Sequence, residues 1–278
     1  MLFRSNIIQT IRQGSSIEDE LAEAPALSRI SPHQLKGETW HSWLERKPVQ
    51  FTLLTTVAVA IGGIIQIVPM LIVKSNIPTI ASVKPYTPLE IQGRDIYIRE
   101  GCNNCHSQMI RPFRSETARY GDYSKSGEYV YDHPFLWGSK RTGPDLHRLG
   151  GKYNDNWHFN HMWDPRSTSS NSIMPPYKWL YDNKAIDNSL IEDKMKTLVK
   201  IGVPYTDQDI SNARKSIEDQ SSKIEANLHQ DPDFVKSYED SKKNAAARGE
   251  KFVPMKDREI VALIAYLQRL GTDTKPKK

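Results

Sequence analysis

Along most of the chain, charged and polar positions interrupt the apolar ones every few residues, and one stretch departs from that pattern. From Val49 to Val73 the sequence reads VQFTLLTTVAVAIGGIIQIVPMLIV, 25 residues without a charge, with Arg46 and Lys47 before it and Lys74 after it. A run of this kind predicts a transmembrane helix. At 1.5 Å per residue it reaches about 37 Å, enough to cross a hydrocarbon core of about 30 Å with some tilt. A cleaved signal peptide has a shorter apolar region nearer the N-terminus, and here 48 residues come first.

Near the other end, Ile260, Leu263, Ile264, Leu267 and Leu270 recur at helical spacing between Asp257, a fitting N-cap, and Gly271, a fitting stop. A second helix is predicted over about 88–100, where Gly93 sits one turn before Tyr97 and permits a close approach, so the two helices are expected to cross. Residues 181–250 are rich in Lys, Asp, Glu, Ser and Asn with little apolar content, which predicts a charged helical insertion standing in solvent. The expected fold is mainly α: a polar tail over 1–48 with an interfacial helix at Trp40, Trp43 and Leu44, an anchor over 49–73, and an outer helical domain over 74–278.

Composition narrows this further. With 278 residues, 38% of them hydrophobic, and a mean hydropathy of −0.60, the chain is neither disordered nor mostly within a bilayer. Residues 1–48 hold six basic and six acidic side chains, so the whole net charge of +5 lies beyond the anchor. That surplus is too small and too spread to argue for nucleic acid. No internal repeat or nucleotide-binding glycine pattern is present, and two Cys exclude a fold stapled by many disulfides.

Both cysteines fall in Cys102-Asn103-Asn104-Cys105-His106. C-x-x-C-H is the pattern of c-type haem attachment: two thiols one helical turn apart add to the two vinyl groups of one porphyrin, and the next imidazole lies under the iron. Zinc binding would want a second Cys pair or a His at finger spacing, and a thiol redox pair would want a βαβ setting. Haem c is attached outside the cytoplasm in bacteria, so this reading puts the outer domain in the periplasm and the N-terminus in the cytoplasm, where the charges give only a weak vote.

A thioether as sixth ligand would leave no open iron position and suit electron transfer. Met109 is too close to His106 to reach the opposite haem face, and Met162 and Met195 lie in predicted helices, where Met is commonly packing. Met174, in Ser172-Ile173-Met174-Pro175-Pro176-Tyr177, sits on a loop stiffened by two prolines and is favoured; Met255, just before the last helix, is the rival. His133, His147, His158 and His161 are replacement candidates. Within GSKRTGPDLHRLGG, residues 138–151, the Pro144 carbonyl is placed to accept from His106 Nδ1, and Lys140 and Arg141 are candidates to offset haem propionates, against the alternative of a solvated basic loop.

Beyond the pentapeptide, GCNNCHSQMIRP, ARYGDYSKSGEYVYDHPFLWGSKRTGPDL and DPRSTSSNSIMPPYKWL resemble the membrane-anchored mono-haem cytochrome c subunit, subunit II, of cbb3-type cytochrome c oxidases. The resemblance implies a class I cytochrome c fold, one haem c bound covalently through Cys102 and Cys105, and axial ligation by His106 and Met174. It implies a relay that takes electrons from a di-haem cytochrome c subunit or a soluble cytochrome c and passes them to the haem b of a haem–copper catalytic subunit. The lone span holds no His, Cys or carboxylate, so this chain itself cannot carry haem b or copper in the membrane. Two other readings stand beside it: an anchored cytochrome serving another complex such as a nitric oxide reductase, and a haem-based gas sensor, for which the tail is short.

Overall fold

The computed structural model describes residues 39–73 and 78–275. The polar tail expected over 1–48 falls mostly outside them, as does Lys74. The chain divides into two compact units, residues 1–72 and 73–278. The described residues are helical, with no strand among them.

In the first unit, α1 (Trp40–Glu45) starts at Thr39, whose hydroxyl accepts from the Ser42 amide. Trp40 and Trp43 of this turn are exposed, with Lys47 over the Trp43 ring. The 25 residues of α2 (Pro48–Ile72) form one helix with Pro69 inside it. From Pro48 to Met70 its mean hydropathy is 2.1 and none of it is buried within the protein. A helix apolar on every side and uncovered by protein belongs in lipid, where its backbone groups are satisfied internally.

The second unit is organised by the crossing of α3 (Pro88–Arg99) and α12 (Glu259–Arg269). A Cβ on Gly93 would collide with the Ala262 carbonyl and lie 2.8 Å from Tyr266 Cβ, so only glycine lets the two backbones meet there. Tyr97 fills the space beside it, edge-on to Tyr266 with ring centres 5.3 Å apart. Residues 255–257, just ahead of the last helix, form a separate 3-10 turn. Arg258, not Asp257, occupies the N-cap position, because the Asp257 amide closes that preceding turn on the Pro254 carbonyl.

Between these helices in sequence come α4 (Cys102–Cys105), α5 (Arg114–Tyr120), α6 (Asp155–Trp163) and α7 (Pro165–Thr168). The insertion supplies α8 (Ile191–Lys200), α9 (Asp207–Ser211), α10 (Ala213–Leu228) and α11 (Pro232–Ala247). It is charged and helical as expected, but it is not a solvated arm. Ala213, Ile217, Ser221, Ile224 and Leu228 form a buried stripe along α10, which packs against α3, α6 and α12. A single, mostly apolar stripe suffices to dock a helix whose remaining positions are largely charged and polar. The docking is specific: Thr87 caps α3 in a reciprocal box with Glu90, and Gln220 of α10 accepts from the Thr87 hydroxyl at 2.6 Å and donates to Glu90 at 3.2 Å.

Candidate haem site

After α3 the chain turns at Gly101, in the left-handed region, directly into α4. That turn carries Cys102 and Cys105, both free thiols, the first half-buried and the second exposed. The His106 amide donates to the Cys102 carbonyl at 2.9 Å, so thiols and imidazole are held on one helical turn. Burial pushes the Cys102 thiol up to about 12, with Glu100 adding to it. A reactive redox thiol or a zinc thiolate needs the opposite shift. Among the described residues no group of three His, Cys, Asp or Glu side chains could hold a metal ion.

The imidazole is clamped on two sides. Its Nδ1–H donates to the Pro144 carbonyl at 2.8 Å. A carbonyl can only accept, so the proton is fixed on Nδ1 and the Nε2 lone pair is left for a metal. Burial lowers the pKa of His106, against the opposing pull of that hydrogen bond, which keeps the ring neutral. Gly143 lies flat against the ring: a Cβ there would stand 2.7 Å from Nδ1 and 2.9 Å from Nε2.

Residues 105–109 and 143–147 are laced together. The Gly143 amide donates to the Cys105 carbonyl at 2.9 Å and the Leu146 amide to the Ser107 carbonyl at 2.8 Å. Asp145, whose side chain is fully covered, accepts from the Ser107 hydroxyl at 2.6 Å and from the amides of Met109 and His147 at 2.9 Å each. Arg141 closes the same network: it donates to Ser107 Oγ at 2.7 Å, to the Met109 carbonyl at 2.7 Å and to Glu116 at 2.8 Å. The hydrogen bond from Arg141, with those from Arg111, holds the Glu116 carboxyl down at about 2. Arg141, a candidate to offset a propionate, pairs here with a neighbouring carboxylate, and Lys140 beside it is exposed.

The loop of Met174 returns to this turn. Met174 and Cys102 are both half-covered and pack against the same core cluster. The thiols of Cys102 and Cys105 add to burial in raising Tyr177 to about 12, and Trp179 Nε1 donates at 3.0 Å to Glu100, two residues before Cys102. The Tyr177 amide donates to the Met162 carbonyl at 2.8 Å, tying the loop to α6. On α6, burial and His106 both lower the pKa of His161, which bonds Thr168 Oγ1 through Nδ1 at 2.6 Å and stacks on Trp157.

The remaining candidates are placed otherwise. Met162, Met195 and Met255 are core residues. His147 bonds Glu128, and His133 is exposed. His158 is fully buried with neither ring nitrogen bonded, and burial lowers its pKa to about 4. Sequence reasoning missed Asp145, Ser107 and Glu116; the only local signal was an Asp directly after the Gly-Pro turn.

The donor set fits a haem: two free thiols on one turn, a neutral imidazole with Nε2 uncommitted, and a Met loop beside the same cysteines. A comparison with family models matches residues 41–274 to the cytochrome c oxidase mono-haem subunit, FixO. The chain belongs to the FixO family. Membership makes it a subunit of a cytochrome c oxidase, mono-haem, with a candidate membrane helix at Pro48–Met70. A comparison with curated proteins finds no match.

Proposed function

We propose that this FixO-family chain is a membrane-anchored electron relay of a cbb3-type oxidase, passing electrons from a c-type cytochrome, either a di-haem subunit or a soluble protein, to the haem–copper catalytic subunit with haem b. The match over residues 41–274 carries the reading. The haem c is attached through Cys102 and Cys105, His106 and Met174 are its axial ligands, and the outer domain adopts a class I cytochrome c fold. The N-terminus is cytoplasmic and the haem domain periplasmic, on the bacterial inner membrane. When bound, the haem supplies a one-electron couple.

This chain's own residues hold that group rather than react. Pro144 fixes the tautomer and orientation of His106, Gly143 blocks ring movement, and Asp145 with Ser107 holds the two strands of chain in register. Arg141 and Arg111 balance Glu116 beneath them, so no unpaired carboxylate faces the site from there. The proline-stiffened Met174 loop presents a thioether without a competing amide from residues 175 and 176.

The test is affinity purification of the chain from its native membrane in mild detergent, followed by reduced-minus-oxidised spectra with and without CO. Copper, b-type haem and a CO-binding haem accompanying the c-type band support the relay. A low-spin c-type band alone, under conditions that preserve known complexes, replaces it with a free-standing anchored carrier.

A further inference from the structure

Residues 101–145, the stretch that carries Cys102, Cys105 and His106, expose charge that is nearly all of one sign. Residues 101–145 contain six basic and five acidic side chains. Four of the acids, Glu116, Glu128, Asp132 and Asp145, have side chains no more than 8% exposed, each facing an arginine, and only Asp122 is exposed. Of the bases only Arg141 is partly covered; Arg111, Arg114, Arg119, Lys125 and Lys140 are exposed. Near-equality in sequence becomes a basic excess at the surface.

The basic residues and the exposed aromatics flank one segment. Arg111 and Arg141 both bind Glu116, and the guanidinium carbons of Arg119 and Arg141 lie 5.1 and 5.3 Å from the centre of the Tyr120 ring. Lys140 leads from Arg141 back to Trp137, whose carbonyl accepts from the Gln108 amide at 2.9 Å. Trp137 stacks on Phe135 at 4.5 Å with 7° between the planes, and the two residues are 37% and 54% exposed. Exposed Cys105 lies in the same stretch.

We propose that this aromatic centre with its basic rim is the docking site of a soluble, acidic electron-carrier protein; the proposal rests on the relay reading and names the partner of that site. Charge complementarity selects the occupant: long-range attraction raises the encounter rate of an oppositely charged protein, while stacked aromatics supply the short-range contact. A permanent subunit contact would be larger and its core depleted of lysine, whereas transient redox encounters are small and tolerate a charged rim.

The experiment uses the full-length holoprotein in its purified complex and two probes, a basic mono-haem cytochrome c and the same cytochrome with its lysines succinylated. Binding is measured by surface plasmon resonance in low and high salt. Wild type is expected to bind the succinylated probe at least about tenfold more tightly than the unmodified one, and to lose at least about tenfold between roughly 20 and 200 mM salt as the charges are screened. Arg119→Glu/Lys140→Glu reverses the preference, and Trp137→Ala shortens the lifetime of the bound state without reversing it.

Absence of charge preference in wild type overturns the proposal, as does a double variant that binds the succinylated probe as wild type does. Two further results overturn it: loss of the catalytic subunit from the variant complex with probe binding intact, and dependence of anionic-vesicle binding on the same residues when the succinylated probe does not bind. The c-type band and its reduction through a small neutral mediator are read on the same samples. Their absence defeats the relay reading; their presence without charge preference defeats the docking surface alone.

Discussion

The His106 segment and the Met174 loop meet at the same cysteine turn, yet they differ in how much of their position the protein itself fixes. Around His106, residues 105–109 and 143–147 exchange backbone bonds, Asp145 accepts three more, and the imidazole is pinned between Pro144 and Gly143. Around Met174 the structure gives fewer ties: the Met174 amide donates to Ser172 Oγ at 3.2 Å, the Tyr177 amide to Met162, and Ile173 is 75% exposed. One side of the site is preorganised by the fold; the other relies on two prolines and a few backbone ties. Preorganisation on the His106 side would lower the ordering cost of placing a haem there, leaving the lightly tied Met174 loop as the side still to be ordered.

The comparison can be broken most severely at Asp145. Asp145→Ala strands the Ser107 hydroxyl and the Met109 and His147 amides, and is expected to cost the holoprotein about 2–4 kcal/mol in urea unfolding. A comparable loss from Ser172→Ala would erase the distinction. Gly143→Ala pushes a methyl into the His106 ring; it is expected to destabilise by about 1–3 kcal/mol and to perturb the Soret and α bands, since something must move.

Acid sharpens the comparison further. Glu116 has its carboxyl held at about 2, below the ordinary 4.5, by Arg141 first and Arg111 next. A depressed folded-state value means that the stabilisation is complete above about pH 4.5 and is lost as pH falls toward 2. Unfolding midpoints of wild type should therefore drop across that window, and Glu116→Gln should flatten the slope there. Smallest in stability is Met174→Leu, a volume-conserving change expected to cost less than about 1.5 kcal/mol. It should nevertheless abolish the ferric near-infrared absorption of a Met–iron bond, which Met255→Leu should keep. Retention of that absorption in Met174→Leu would remove Met174 from the site.

What could be read in the sequence was what depends on local spacing. The thiol pair and imidazole lie within five residues, Gly93 and Tyr97 within one turn, and the apolar run from Val49 within one helix. The Pro144 contact was also foreseeable, because a Gly-Pro turn offers a carbonyl of known chemistry. The Asp145 latch was not: its partners Ser107 and Met109 lie 38 and 36 residues away, and nothing in a single sequence joins them. The pairing of Arg141 with Glu116 was hidden for the same reason, since the two lie 25 residues apart. The insertion misled through composition. Along α10 the buried positions Ile217, Ile224 and Leu228 are interrupted by Ser221 and surrounded by charge, so average polarity hid a stripe that periodicity would have shown.

The flat contact of Gly143 on His106 has a consequence for the speed of a relay. Moving an electron on or off a metal requires the surrounding nuclei to readjust, and the rate falls as that reorganisation grows. A ring held at Nδ1 by Pro144 and walled by backbone at Gly143 has almost nowhere to go. For a metal carried on Nε2, the proximal bond would keep nearly the same geometry in both charge states, leaving little inner-sphere relaxation to slow each passage.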